Sequence, residues 1–215
     1  MPAYLEDYAD IAEGLLSLYE ATFEPRYFTA AVEAAEAILE LFPRPGGGFY
    51  DTGEGHDRLV TRPRDVQDNA VPSGNAMAAT VLLRLSVLTG EAKYGRAAEA
   101  ALSSMSRAME SHPLAFSQWL CALTWYVAKP QGVAVVGELD AGATQAMLKV
   151  VSGAYLPFVV TAFREPTEES PIPLLHGRGA IQGRPTAYVC THFTCQAPTT
   201  EPEVLKAQLF FAGSA

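Results

Sequence analysis

The chain has 215 residues, 49% of them hydrophobic, which is enough apolar material for one large core or two small ones and too much for a disordered segment. Its net charge of −9 is unevenly placed: residues 1–55 carry eleven acidic and two basic side chains, and the remainder carry thirteen of each. With no basic cluster to neutralise a phosphate backbone, nucleic acid is not an expected partner. The three cysteines Cys121, Cys190 and Cys195 are an odd count that does not fit a secreted disulfide framework. There is no charged and apolar leader, and no apolar run approaches the about 18 residues of a membrane span. The expectation is a cytoplasmic protein without a membrane partner.

The first 130 residues read as helices. Leu5, Tyr8, Ile11, Ala12, Leu15, Leu18 and Tyr19 recur at steps of three and four, predicting a helix over 5–21. Pro25 opens a second helix that runs to about Phe42 and is stopped by Pro43, Pro45 and Gly46-Gly47-Gly48. A polar loop follows from about Phe49 to Val71. Pro72-Ser73-Gly74-Asn75 opens a third helix, ending near Thr89-Gly90. A fourth is expected over Ala92–Glu110 and a fifth over Leu114–Ala128, with His112 before Pro113 read as a cap or surface residue at the start of the fifth.

An internal repeat supports helical hairpins. Leu15-Leu16-x-Leu18 recurs as Leu82-Leu83-x-Leu85, Thr22 as Thr89, Glu24 as Glu91, Tyr27 as Tyr94 and Ala30-Ala31 as Ala97-Ala98, all at an offset of 67 without a gap. Repeated hairpins stack so that each covers its neighbour's apolar face. After Gln131 the pattern changes. Val133–Gly137 and Pro157–Phe163 read as strands around a helix at Ala143–Ser152, a β-α-β unit that favours a parallel crossover. Residues 164–185 read as loop, Thr186–Cys190 as a third strand, and 201–212 as a final helix with Thr200 as N-cap and Glu203 at the capping-box position.

Chemistry-bearing residues concentrate in the segment from Gly46 to Asn75. It is longer than a helix connection requires, and long loops on rigid helices often hold a site. Asp51, Asp65 and Asp68 are the candidate acid–base groups, and His56, Arg62, Asn69, Ser73 and Asn75 the candidate substrate contacts, for a sugar-like small molecule. The alternative is a structural loop in which Asp65 pairs with Arg62 or Arg64 while Ser73 or Asn75 caps a helix. The second candidate is Cys190-Thr191-His192-Phe193-Thr194-Cys195. Its readings are a redox pair at Cys190 and Cys195, an incomplete metal site, a disulfide, or two partly buried thiols at a strand end. Cys121 reads as a buried core thiol, and Trp119, Trp125 and Tyr126 as core. Val135-Val136-Gly137 lacks the glycine pattern of a nucleotide-binding turn. No cofactor and no metal are expected.

Five strings carry a family resemblance: Ala3-Tyr4-Leu5-Glu6-Asp7-Tyr8, Gly47-Gly48-Phe49-Tyr50-Asp51-Thr52, Arg62-Pro63-Arg64-Asp65, Asp68-Asn69-Ala70-Val71-Pro72-Ser73-Gly74-Asn75, and Ala187-Tyr188-Val189-Cys190 with Phe193-Thr194-Cys195-Gln196-Ala197-Pro198. Together they resemble the C-terminal part of the YyaL family of thioredoxin-domain proteins. That family is also called the domain of unknown function 255 family and includes the spermatogenesis-associated homologues. The resemblance implies a thioredoxin-like domain, absent from this sequence, followed by an α/α toroid similar to six-hairpin glycosidases and N-acylglucosamine 2-epimerases. It brings no settled reaction. About five helices cannot close a six-hairpin ring, so the expected fold is mainly α: a partial (α/α) toroid over 1–130, then a small α/β subdomain with a short parallel sheet over 131–215. Two functional expectations follow. One is a domain acting on or binding a carbohydrate. The other is a non-catalytic scaffold or redox-linked interaction domain serving a thioredoxin-like module.

Overall fold

The computed structural model describes residues 3–53 and 60–210. The chain divides into two compact units, Met1–Ser86 with Glu91–Ala128, and Val87–Gly90 with Lys129–Ala215.

The first unit is built on helices α1 (Leu5–Thr22), α2 (Pro25–Leu41), α3 (Gly74–Thr89), α4 (Ala92–Ser111) and α5 (Ser117–Val127), with a 3-10 turn at Pro113–Ala115. The last turn of α3 is counted with the second unit. On α1 the fully buried residues are Leu5, Ala9, Ala12, Leu16 and Tyr19, a strict four–three alternation. They meet Phe28, Ala31, Ala35 and Ile38 of α2. Alanines at the crossing let the two backbones approach closely, and the aromatic ends close the seam, with the Tyr19 and Phe28 rings 5.9 Å apart. The stripe read from the sequence is therefore corrected in part. Ile11 and Leu18 are exposed, because the small alanines rather than the largest side chains define the contact line.

The 67-residue repeat is visible in the backbone. Phe23 and Gly90 occupy equivalent positions and both adopt left-handed φ, 57° and 73°. Glu24 and Glu91 then occupy the N-cap positions of α2 and α4 with nearly the same backbone geometry, φ −74°, ψ 116° and φ −75°, ψ 114°. The pairs are joined by polar contacts. Arg84 of α3 forms ion pairs with Glu13 and Glu20 of α1, and Tyr94 of α4 donates its hydroxyl proton to Glu36 of α2. The expected fifth helix is interrupted at Phe116, where φ −138° and ψ 40° separate the 3-10 turn from α5. On α5, Trp119 and Ala122 face the core. Cys121 falls on the opposite side and is exposed, contrary to the buried thiol expected. Tyr126 is exposed as well.

The second unit holds strands β1 (Gln131–Val136), β2 (Val159–Arg164), β3 (Thr186–Thr191) and β4 (Thr194–Cys195), with helices α6 (Gly142–Ser152) and α7 (Pro202–Phe210) and a 3-10 turn at Pro173–Leu175. Sheet order is β2-β1-β3-β4. β1 is buried along its whole length, as its apolar run Val133–Val136 dictates. It pairs parallel with β2, as expected of a β-α-β unit, but β3 lies antiparallel to it, so the sheet is mixed rather than parallel. The cause lies in residues 165–185, which turn back after β2. Arg164 holds this return by donating to the carbonyls of Glu165, Pro166, Glu168 and Arg178. β4 carries no strand signal, being two residues long. It pairs with β3 through a two-residue turn in which His192 and Phe193 take φ 49° and 60°. α7 begins at Pro202, two residues after Thr200, and it is the Thr199 hydroxyl that accepts the Glu201 N–H.

Among the described residues there are seven α-helices and one four-stranded sheet, and about half of the chain is helical. No helix of the described residues is long and apolar enough to cross a membrane.

Candidate functional site

The segment after α2 is folded back by three glycines. Gly46, Gly47 and Gly48 all have positive φ, and a Cβ at Gly47 would sit 2.8 Å from the Ala100 carbonyl carbon of α4. The turn closes with Pro43 bridged to Phe49. Asn75, fully buried in the first turn of α3, accepts the Phe49 N–H at 2.8 Å and reaches the Asp65 carbonyl at 3.4 Å. Asn75 thereby ties both ends of the segment to the helix.

These constraints create a cleft of about 330 Å³ in the first unit, lined by Tyr4, Glu6, Asp51, Asp65, Asn69 and Ser73 among others. Two of the three candidate carboxylates meet there. Asp51 Oδ2 accepts the Asp65 N–H at 2.6 Å, and Asp65 Oδ1 accepts the Gln67 N–H at 3.2 Å. The Asp51 main chain is pinned between Leu5 and Pro63, with N···O distances of 3.0 Å on each side. Burial pushes the Asp51 carboxyl above the usual range. The neighbouring Asp65 and Glu6 charges add to the rise, while the Asp65 N–H and Arg64 oppose it. Tyr4 is 43% exposed and provides an aromatic edge at the cleft.

The other candidates are placed differently. Asp68 accepts the Ser73 N–H at 2.9 Å with one oxygen and the Gln118 N–H at 2.8 Å with the other, so it caps α5 from outside the helix. Arg62 stacks 4.2 Å from the Tyr50 ring centroid and donates to the carbonyls of Leu41 and Thr52. Ser73 lines the cleft and also caps α3, its hydroxyl accepting the Ala76 N–H at 3.3 Å. Asn69 is exposed at the rim. His56 lies outside the described residues. Two cleft residues, Glu6 and Tyr4, were not singled out in the sequence. They belong to the N-terminus of α1, which comes within van der Waals reach of Gly74 at the start of α3. The signal for that approach is the glycine itself, since a Cβ there would meet the Glu6 backbone at 2.9 Å.

In the second unit Cys190 and Cys195 face each other across β3 and β4 and form a disulfide, their Cα atoms 3.9 Å apart. The pairing sets aside two free thiols at a strand end; a disulfide is also the oxidised form of a redox pair. His192 is exposed in the turn. Among the described residues no group of three His, Cys, Asp or Glu side chains is placed to hold a metal ion. The turn after β1 is filled instead of open, with Thr144 and Pro185 packed against Gly137.

The fold and these two sites define a helical-hairpin unit with an acidic cleft and a small mixed-sheet unit with a hairpin disulfide. No family model matches the chain. Over 96% of its length it is 31% identical to spermatogenesis-associated protein 20 of Homo sapiens and 32% identical to that of Rattus norvegicus. An uncharacterized protein of Caenorhabditis elegans is 23% identical over 91% of the chain. The chain spans 27% of the length of each of these relatives. It is thus homologous to a segment of spermatogenesis-associated protein 20.

Proposed function

We propose that the cleft between Tyr4, Glu6, Asp51 and Asp65 binds a carbohydrate-like small molecule, within a thioredoxin-related protein of the YyaL type whose helical hairpins over 1–130 are part of an α/α toroid and whose residues 131–215 form a separate subdomain. The observation that carries the reading is the convergence of Asp51 and Asp65 on one concavity beside an aromatic edge. Carboxylates and an aromatic surface are the groups that recognise hydroxyl-rich ligands, and a carboxyl whose hold on its proton is tightened by burial, beside a second carboxyl group, is a pairing used in acid–base work on them. In this reading Asp51 donates a proton, Asp65 orients or deprotonates, and Asn69 contacts the ligand, while Asp68, Arg62, Ser73 and Asn75 hold the walls. Screening neutral sugars and sugar phosphates against the chain by thermal shift tests this. A ligand that raises the melting temperature of the wild type, with the rise lost in Asp65→Ala, supports it, and silence across the whole panel defeats it.

The hairpin disulfide favours a second reading, a redox-linked interaction domain that serves a thioredoxin-like module. The two readings concern different units of the chain and do not compete for the same residues.

A further inference from the structure

The surroundings of the disulfide are unusual for a purely structural cross-link. Arg178, from the segment between β2 and β3, places Nη2 3.3 Å from Cys190 Sγ and 3.0 Å from Cys195 Sγ. Its other terminal nitrogen donates to the carbonyls of Leu174 and His176, which fixes the guanidinium over the sulfurs. The guanidinium carbon lies 5.9 Å from the Tyr188 ring centroid. Nε is buried without a hydrogen-bond partner. Among the described residues no carboxylate pairs with Arg178. The segment also carries Glu165, Glu168, Glu169 and Arg184, and Arg164 at the end of β2 binds the Arg178 carbonyl. A half-buried cation aimed at two neutral sulfurs gains little, because a disulfide sulfur is a poor acceptor. The same cation beside a thiolate gains a charge-assisted contact. The cross-link also spans only five positions, the range in which it restrains the unfolded chain least.

We propose that Cys190–Cys195 is a thiol–disulfide exchange site for a dithiol donor, with Arg178 as the positioning residue that stabilises the thiolate released on reduction. The inference rests on the redox-linked reading above. A donor thiolate attacks Cys195 Sγ, the more exposed sulfur; Cys190 is only 2% exposed. The Cys190–Cys195 bond breaks, a mixed disulfide forms at Cys195, and the electron pair moves to Cys190 Sγ beside Arg178. The donor's second thiolate then attacks its own sulfur in the mixed disulfide, forming the donor disulfide and releasing Cys195. Two electrons pass from donor to chain, and the two protons shed by the donor thiols go to the new cysteine thiolates as these equilibrate with solvent.

The test is an equilibrium redox titration of the full chain in glutathione buffers, in a Cys121→Ser background that removes the exposed third thiol, with free thiols counted by maleimide labelling. Wild type is expected to reach half reduction within the buffer range. Arg178→Gln is expected to shift the equilibrium at least ten-fold toward the disulfide, about 30 mV for a two-electron couple. Arg178→Lys, which keeps the charge, recovers part of the shift. A thiolate absorbance titration of the reduced chain should show one thiol ionising at lower pH in wild type than in Arg178→Gln. A wild-type pair that stays oxidised in the most reducing buffer overturns the redox reading itself. A wild-type pair that reduces, with Arg178→Gln and Arg178→Lys unchanged in both titrations, leaves that reading standing and overturns the role given to Arg178.

Discussion

Replacing Asp68 by alanine separates a wall residue from a reacting one. Its carboxylate accepts two backbone N–H groups, from Ser73 before α3 and from Gln118 in the first turn of α5. Phe116, the residue that precedes α5, makes no side-chain cap, so Asp68 supplies from a distance what the helix lacks locally. Hydrogen bonds to a charged acceptor contribute about 1.5–3 kcal/mol each. Asp68 is half-buried, which favours the lower end, so the alanine variant should lose about 3 kcal/mol. Asp68→Asn retains one neutral accepting oxygen and should lose about 2 kcal/mol, one charged bond and the charge assistance on the other. Both tryptophans of the chain, Trp119 and Trp125, lie on α5, and Trp119 donates its indole N–H to the Val66 carbonyl within the same loop. Intrinsic fluorescence during urea unfolding therefore reports the unit that Asp68 stabilises. Alanine and asparagine variants within about 0.5 kcal/mol of wild type, inside the range of an ordinary surface substitution, refute the capping role and return Asp68 to the candidate reacting groups.

Asp51 sets a pH dependence of opposite sign to most carboxylates. Because the folded chain holds the Asp51 proton more tightly than the unfolded chain, its contribution is fully present at low pH. It is lost as pH rises from about 4, the ordinary carboxylate value, through the raised folded value. Asp51→Asn should therefore match wild type at pH 3 and equal or exceed it in urea midpoint at pH 7; a variant less stable at pH 7 by the same assay contradicts this. Gly47→Ala introduces a Cβ against the Ala100 carbonyl at a positive φ, and should destabilise by about 2 kcal/mol or more, read as a lowered urea midpoint. Removing the disulfide with Cys190→Ser and Cys195→Ser should cost about 2 kcal/mol of chain-entropy stabilisation in oxidising buffer and nothing in reducing buffer, by thermal melts in each.

Most of the helical unit was legible because its signals are local. Pro25, the Pro43–Gly48 block and Gly90 mark helix ends by backbone chemistry alone, and the fixed 67-residue offset predicts a shared turn geometry that Phe23 and Gly90 display. The contact face of α1 was less legible. Apolar periodicity cannot tell an alanine seam from a leucine stripe, so Ile11 and Leu18 were read inward although they face out. In the second unit the parallel pair followed from β-α-β order, whereas the antiparallel β3 depends on where residues 165–185 turn back, which Arg164 decides through four carbonyls scattered over the loop. The turn at His192 and Phe193 lacks the glycine or asparagine that usually announces it. The site was half legible for the same reason. Asp51 and Asp65 stood in a dense polar segment, but Glu6 and Tyr4 join them only because α1 and α3 begin at the same place.

The account turns on whether the Tyr4–Glu6–Asp51–Asp65 cleft binds a hydroxyl-rich ligand. Isothermal titration of the best thermal-shift ligand into wild-type and Asp65→Ala chains measures this directly, since Asp65 is exposed and its loss leaves the core intact. The account predicts at least ten-fold weaker binding in Asp65→Ala, about 1.4 kcal/mol. Equal affinity in the two chains, or no heat of binding in wild type, contradicts it.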